Sequence, residues 1–423
     1  MVVVAIWSLS LGINLPGLAV TPVLDNLKEL FPGVTEFKSQ LLTVLPNLVI
    51  IPFVLLSGRL SLTPHKIPVI TTGVVLYVLA GVLYLFSRSF DALIWISCLL
   101  GAGCGLLLPF ATGLIADVFT GKYKLRQMGI VSAIGNISLV SATFVVGFLA
   151  DINWHLPFLV YVLPLVSLIL LPWLKKIPRA DMDLDADGNP IPVGDDSSKP
   201  RPGEKLVVPK KDDANFSNRG QKVVGGFYLG RTLWTLAAYF FFVFATSVPA
   251  YYMPYLAPDL GISVEQVSII TSAIYFFMFV MGLSLNNVLR FFKSRSFIFA
   301  GTAMLAGFVM FAFCRNLPCL IIASGLLGVG QGMAQPIFFD KASEICVNDS
   351  HATLSMAFLQ VANYIGIAIV PVIINLFMWI FGQNDSNHTF PFYAVLGMMI
   401  VVYACMLIRW KHFTFGIHKE YYE

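Results

Sequence analysis

The sequence predicts an all-α membrane protein of twelve transmembrane helices, arranged as two six-helix bundles related by a parallel repeat. Three observations predict it. The 423 residues are 57% hydrophobic and 12% charged, more apolar surface than a water-soluble fold of this size can cover. Apolar runs of about 20 residues, each enough for a helix across roughly 30 Å of hydrocarbon, recur from Val2 to Arg409. The first half of the chain also matches the second at a constant offset of 227.

In chain order the apolar runs fall at 2–22, 40–57, 67–86, 92–117, 127–149, 156–174, 228–256, 264–288, 296–313, 318–343, 353–381 and 391–409. Each is read as a helix, because lipid offers an open backbone no hydrogen-bonding partner. Val2–Val20 has no basic flank and no isolated apolar core, so it reads as the first span rather than a cleaved leader. From Lys175 to about Gly226 the hydrophobicity collapses into a Pro, Asp, Lys and Gly stretch, which reads as a cytoplasmic linker. The expected organisation is a bundle at 1–174, a linker at 175–226 and a second bundle at 227–423 ending in a short cytoplasmic tail.

The offset of 227 pairs Trp7 with Trp234, Pro22 with Pro249, Lys66 with Lys293 and Asn136 with Asn363. Its best stretch pairs Leu99-Leu100-Gly101-x-Gly103-x-Gly105-x-x-x-Pro109 with Leu326-Leu327-Gly328-x-Gly330-x-Gly332-x-x-x-Pro336. After a seven-residue insertion, Asn153, Pro157 and Phe158 pair with Asn387, Pro391 and Phe392. An even helix count per copy keeps both copies in the same orientation, and substrate sites of such repeats lie near the midplane between them. The Gly-x-Gly-x-Gly runs serve either close helix packing or sliding and bending.

Charge sets topology. With the N-terminus inside, the short inner loops hold Arg59, Lys66, Lys122, Lys124, Arg126, Arg290, Lys293, Arg295 and Lys341, against Lys28, Lys38, Arg88 and Arg315 outside. That bias places both termini in the cytoplasm. The basic residues form no single face, so nucleic acid is not an expected partner. Cys98, Cys104, Cys314, Cys319, Cys346 and Cys405 have neither zinc spacing nor a disulfide framework and read as small packing residues, with a Cys314–Cys319 bridge at the outer end of helices nine and ten as the less favoured alternative.

The chemistry on offer is that of binding rather than catalysis. The histidines sit in loops or the tail, without a nucleophile and base embedded in the spans, so an enzyme is not expected. Asp183-x-Asp185-x-Asp187-Gly188 begins like a calcium loop, but Gly194 stands where a bidentate Glu belongs; no metal or other cofactor is expected. The central thirds of the spans carry amides, hydroxyls and tyrosines in place of charges: Asn14, Asn47, Asn136, Tyr239, Tyr275, Gln331, Gln335, Gln360 and Asn363. Each is either a substrate contact or interhelical glue. Aromatics at Phe240, Phe241, Phe242 and Phe244 suit flat or amphipathic ligands, and Tyr251, Tyr252 and Tyr255 fit an interfacial belt.

The loop Gly58-Arg59-Leu60-Ser61-Leu62-Thr63-Pro64-His65-Lys66, followed by Gly73, resembles the signature between helices two and three of the major facilitator superfamily. The resemblance extends over nearly the whole chain, and more loosely to the drug:proton antiporter and sugar-efflux branch. Gly58, Leu60 and Lys66 match the signature, whereas Leu62 stands where the family has Asp, Thr63 where it has Arg and His65 where it has Gly. Since that Asp helps to hold the family's halves closed, other residues are expected to lock them here. Gly58, Lys66, Asp117, Arg126, Asp340 and Glu344 are the candidate gating set, with Lys341 beside them. The resemblance implies a secondary transporter working by alternating access, a monomer in lipid of a bacterial inner membrane. It also implies a neutral, cationic or amphipathic small-molecule substrate, moved outward with protons as driving ion. Uptake of a neutral metabolite such as a sugar or nucleoside, and a transport-dead sensor or scaffold, are the alternatives.

Overall fold

A computed structural model describes residues 2–16, 31, 36–61, 66–119, 121–174, 182–184, 190–192, 223–346, 351–383 and 387–408. The signature positions 62–65, most of the linker, the calcium-like residues 185–189 and the tail from 409 lie outside them.

The predicted runs emerge as helices. The second span is Glu36–Leu60, the third Lys66–Phe86, the fourth Phe90–Val118 and the fifth Gly121–Ile152. The seventh is Leu229–Asp259, the eighth Val264–Phe292, the ninth Ser296–Phe313, the tenth Leu317–Glu344 and the twelfth Phe390–Ile408. The starts of the third and fifth spans, the ends of the fourth and tenth and the entry to the seventh come together at one end of the bundle, called here the linker end.

Three spans depart from regular helices, each for a local reason. The first is α-helical over Val2–Ser8, tightens to a 3₁₀ turn at Leu9–Gly12 and then unwinds. The freed carbonyls are claimed by other helices: Tyr77 Oη donates to Gly12 O at 2.8 Å and Tyr364 Oη reaches Ile13 O at 3.4 Å. The sixth span breaks into Leu156–Val162, Leu165–Ile169 and Leu171–Leu174, because Pro157, Pro164 and Pro172 each remove a backbone donor. The eleventh splits into Ala352–Ala368 and Val370–Ile380 with a 47° bend, ahead of Pro371.

The repeat is visible in the packing. An added Cβ would lie 2.6 Å from Pro46 O at Gly101 and 2.8 Å from Ile50 O at Gly105, both on the second span, whereas at Gly103 it would lie 2.6 Å from Tyr77 N of the third. In the other copy Gly328 presses on the Ile274 carbonyl, and an added Cβ would lie 2.6 Å from Met278 Cα of the eighth span at Gly332 and 2.7 Å from Ala300 O of the ninth at Gly330. Of the two roles open to the glycine runs, close packing is the one seen.

Between the linker and the seventh span, Val223–Val224 and Phe227–Tyr228 form a hairpin whose turn, Gly225-Gly226, has φ of +58° and +86°. Only glycine takes both values without strain, as a primed two-residue turn requires. Tyr228 N then donates to Ile345 O at 3.0 Å, tying this hairpin to the end of the tenth span. Within the linker itself, Met182–Leu184 pairs antiparallel with Pro190–Pro192, structure that its composition does not suggest.

One expectation is corrected. Cys314 and Cys319, read from sequence as packing residues, form a disulfide across the turn between the ninth and tenth spans, with Cα atoms 6.1 Å apart. The turn doubles back over only Arg315–Pro318, and that reversal brings the two into bridging range. Among the described residues, Cys98, Cys104, Cys346 and Cys405 take no part in a disulfide.

Candidate functional site

At the linker end the two copies meet through small residues. Gly129 of the fifth span and Gly282 of the eighth abut backbone to backbone, with added Cβ atoms 2.7 and 2.9 Å from the opposing carbonyls. A Cβ added at Gly58 of the second span would lie 2.5 Å from Ala357 Cβ of the eleventh, and one at Gly113 of the fourth 2.6 Å from Thr353 Oγ1. Backbones this close leave little room for water, so any charge placed here is desolvated.

Charges are placed here. Lys124 Nζ, near the start of the fifth span, lies 2.8 Å from Asp340 Oδ1 and 4.0 Å from Glu344 Oε1 on the tenth, and donates to Ser343 Oγ at 2.8 Å. The Lys124 side chain is 12% exposed and that of Asp340 2%. Lys341 is buried beside them in the field of Glu344, Asp340 and Arg231, and the Arg231 guanidinium lies 5.8 Å over the Tyr228 ring. Lys124 therefore joins the two copies through ion pairs to Asp340 and Glu344. Of the other gating candidates, Lys66 pairs with Asp117 at 2.6 Å, but both belong to the first copy and are 28% and 22% exposed. Gly58 lies in the crossing described above, and Arg126 is exposed and forms no ion pair among the described residues.

Deeper in the bundle lies a layer of amides. Ser132 Oγ of the fifth span donates to Gln335 Oε1 of the tenth at 2.6 Å, a further polar contact between copies. Asn14 Nδ2 points at Asn136 Oδ1 across 3.4 Å and Tyr239 Oη at Asn363 Oδ1 across 3.4 Å, and the Tyr239 hydroxyl also interacts with Gln335. The repeat partners Asn136 and Asn363 thus each face a residue of the first span in their own copy. Gln331 is 3% exposed, and its Oε1 has no hydrogen-bond partner among the described residues, nor does Asn136 Nδ2. Gln360 is buried and Asn47 half-buried. Tyr275 sits apart from this group, near Tyr251.

The aromatic run of the seventh span divides. Phe242 and Phe244 are buried, with Phe242 against Phe297 and Phe338 at ring distances of 5.5 and 5.6 Å, so these pack the second copy. Tyr255 is 57% exposed, as a belt residue would be. Sequence reasoning passed over Ser132 and Arg231. Nothing in their spacing marks them, since what counts is which helix lies opposite.

A family model described as Major Facilitator Superfamily matches residues 2–235 and again residues 233–414. The chain belongs to the major facilitator superfamily. It is a multi-pass membrane protein of that fold, in a family whose members are transporters rather than enzymes. Over 157 residues it is 31% identical to the quinolone resistance protein NorA of Staphylococcus aureus, covering 36% of this chain and 38% of NorA. It is 26% identical over 153 residues to the multidrug transporter protein MdtP of Bacillus subtilis, covering 36% of this chain and 27% of MdtP. Among solved structures, the human organic anion transporter MFSD10 superposes with a TM-score of 0.66 at 14% identity, over 95% of this chain and 98% of its own. The proton:xylose symporter XylE gives 0.65 at 13%, over 96% and 94%. These two likenesses speak to the fold alone.

Proposed function

We propose that this transporter exports a small neutral, cationic or amphipathic molecule by alternating access, with protons as the coupling ion and both termini in the cytoplasm. The observation that carries alternating access is the desolvated Lys124–Asp340 pair, backed by Ser132–Gln335. A polar contact between two copies, unlike an apolar one, can be exchanged for water when that end opens, so it suits a gate. Export rests on the partial similarity to NorA and MdtP. The amide layer supplies hydrogen bonds without fixed charge, which fits a cargo of low charge.

Proteoliposomes decide between the readings. With a proton gradient imposed, the transporter should accumulate a cationic dye such as ethidium, and collapse of the gradient should abolish accumulation. Equilibration of a neutral sugar or nucleoside with no effect on the dye would instead mark an uptake carrier, and flux of neither would leave a sensor. The orientation is checked separately: an impermeant maleimide should label a cysteine at position 383 in intact cells but not one within residues 175–226.

The amide layer gives a sharper test. A buried group that loses its ligand partner costs about 1–3 kcal/mol, roughly 5- to 150-fold in affinity. Replacing Gln331, Gln335 or Asn363 by Ala should weaken ligand binding by that range while leaving the melting temperature nearly unchanged. Normal binding with poor folding in all three would make them interhelical glue, and direct titration on purified protein separates the two outcomes.

A further inference from the structure

The bend in the eleventh span has a consequence on the outside of the second copy. Val370–Ile380 leans away from its course and leaves a groove of about 620 Å³ between the seventh, eleventh and twelfth spans. Phe241, Phe377, Phe381, Phe390, Tyr393 and Gly397 are among its walls, which are almost wholly apolar. Along the twelfth span the lining runs from Phe390 to Val402, about 18 Å at 1.5 Å per residue. That is close to one leaflet, half of a hydrocarbon core roughly 30 Å thick. The groove is therefore long and one-sided, a shape for a chain rather than a compact solute.

Its mouth is at the end away from the linker, and a cation waits there. Arg315, in the disulfide-closed turn, reaches the Tyr393 hydroxyl at 3.5 Å, and Phe313 meets the Tyr393 ring edge-on at 5.9 Å. Arg315 is exposed and has no carboxylate partner among the described residues. A guanidinium at the membrane surface matches a phosphate bidentately. Gly397 on the groove wall meets nothing within 4 Å where a Cβ would be, so its missing side chain is open room rather than a packing need.

We propose that this groove is a phospholipid site, with one acyl chain against Phe377, Phe390 and Gly397 and the phosphate on Arg315. A lipid held there fills the gap behind the bent eleventh span and braces it against the twelfth.

The test uses delipidated full-length protein in detergent, titrated with palmitoyl-oleoyl phosphatidylglycerol and read by native mass spectrometry. One lipid should bind well above the background of non-specific adducts. Gly397→Leu, whose Cβ enters open space and whose branched end projects into the groove, should lower occupancy at least five-fold. Arg315→Gln, on an exposed side chain that folding does not need, should weaken phosphatidylglycerol several-fold but leave uncharged diacylglycerol unaffected. Glycerol phosphate, lacking acyl chains, should not compete. The proposal is overturned if Gly397→Leu retains wild-type occupancy, if Arg315→Gln binds phosphatidylglycerol normally, or if glycerol phosphate alone displaces the lipid. It also fails if ethidium displaces the lipid, since the groove would then be a cargo site. Melting curves recorded in parallel confirm that each variant is folded before its occupancy is compared.

Discussion

Lys124→Asp should force the linker end open. In the wild type Lys124 lies between Asp340 at 2.8 Å and Glu344 at 4.0 Å, in surroundings where Asp340 is 2% exposed. Removing one partner of a buried pair costs about 3–5 kcal/mol because the other charge stays desolvated; reversal adds repulsion among three carboxylates. The cost falls only on the state in which the copies touch, since opening hydrates all three groups. A differential of about 5.5 kcal/mol carries a two-state equilibrium from 1:99 to 99:1, so the substitution is of the right size to invert the population.

The measurement is the distance between spin labels at Tyr123 and Phe291, exposed residues near the linker ends of the fifth and eighth spans, in a background whose free cysteines are replaced by alanine. Lys124→Asp should lengthen and broaden that distance. The exchange Lys124→Asp with Asp340→Lys should restore it, which a simple folding defect would not allow. Lys66→Asp is the control. Its partner Asp117 is in the same copy and the pair is 28% and 22% exposed, a setting where ion pairs are worth about 0–1 kcal/mol. An unchanged distance in Lys124→Asp would remove this pair from the gate.

Much of the fold was legible because lipid makes it so. A segment without water must satisfy its backbone internally, so apolar length alone located the spans, and the repeat supplied their grouping. Misjudgement entered where a local feature competes with that rule. Three prolines broke the sixth span into short turns, and the first span left regular helix after Gly12, its remaining residues 17–22 lying outside the described ones. The site was less legible, for a geometric reason. Asp340 and Glu344 were marked by their position at the end of the tenth span, but their principal partner lies 216 residues away from Asp340 in sequence at Lys124. Lys122, Lys124 and Arg126 look alike in a basic stretch. Only the docking of the fifth span on the tenth picks out Lys124, as it does Ser132 for Gln335.

The same docking argument makes the glycine runs the least tolerant positions in the chain. Gly328→Val should prevent the eighth and tenth spans from meeting, because the new Cβ takes the space of the Ile274 carbonyl and its two methyls block the small shift that could accommodate a Cβ alone. A carbonyl in a helix cannot rotate away as the end of a side chain can. Overpacking a rigid contact costs about 1–3 kcal/mol, occasionally more, and in a membrane no hydrophobic force between helices compensates for lost contact. Gly332→Val, 2.6 Å from Met278 Cα, should behave alike, and the double variant should yield no monodisperse protein by size-exclusion chromatography. The milder Gly328→Ala should fold with its melting temperature lowered by several degrees, on the scale of about 2–4 °C per kcal/mol for chains of 150–250 residues. The repeat adds a quantitative check. Gly101 and Gly105 press on the second span as Gly328 and Gly332 press on the eighth, so Gly101→Ala and Gly105→Ala should cost as much as their partners at offset 227. Gly230→Ala, where a Cβ meets nothing within 4 Å, should cost nothing. If Gly328→Ala melts like Gly230→Ala, the close approach of the eighth and tenth spans is not what these glycines are for.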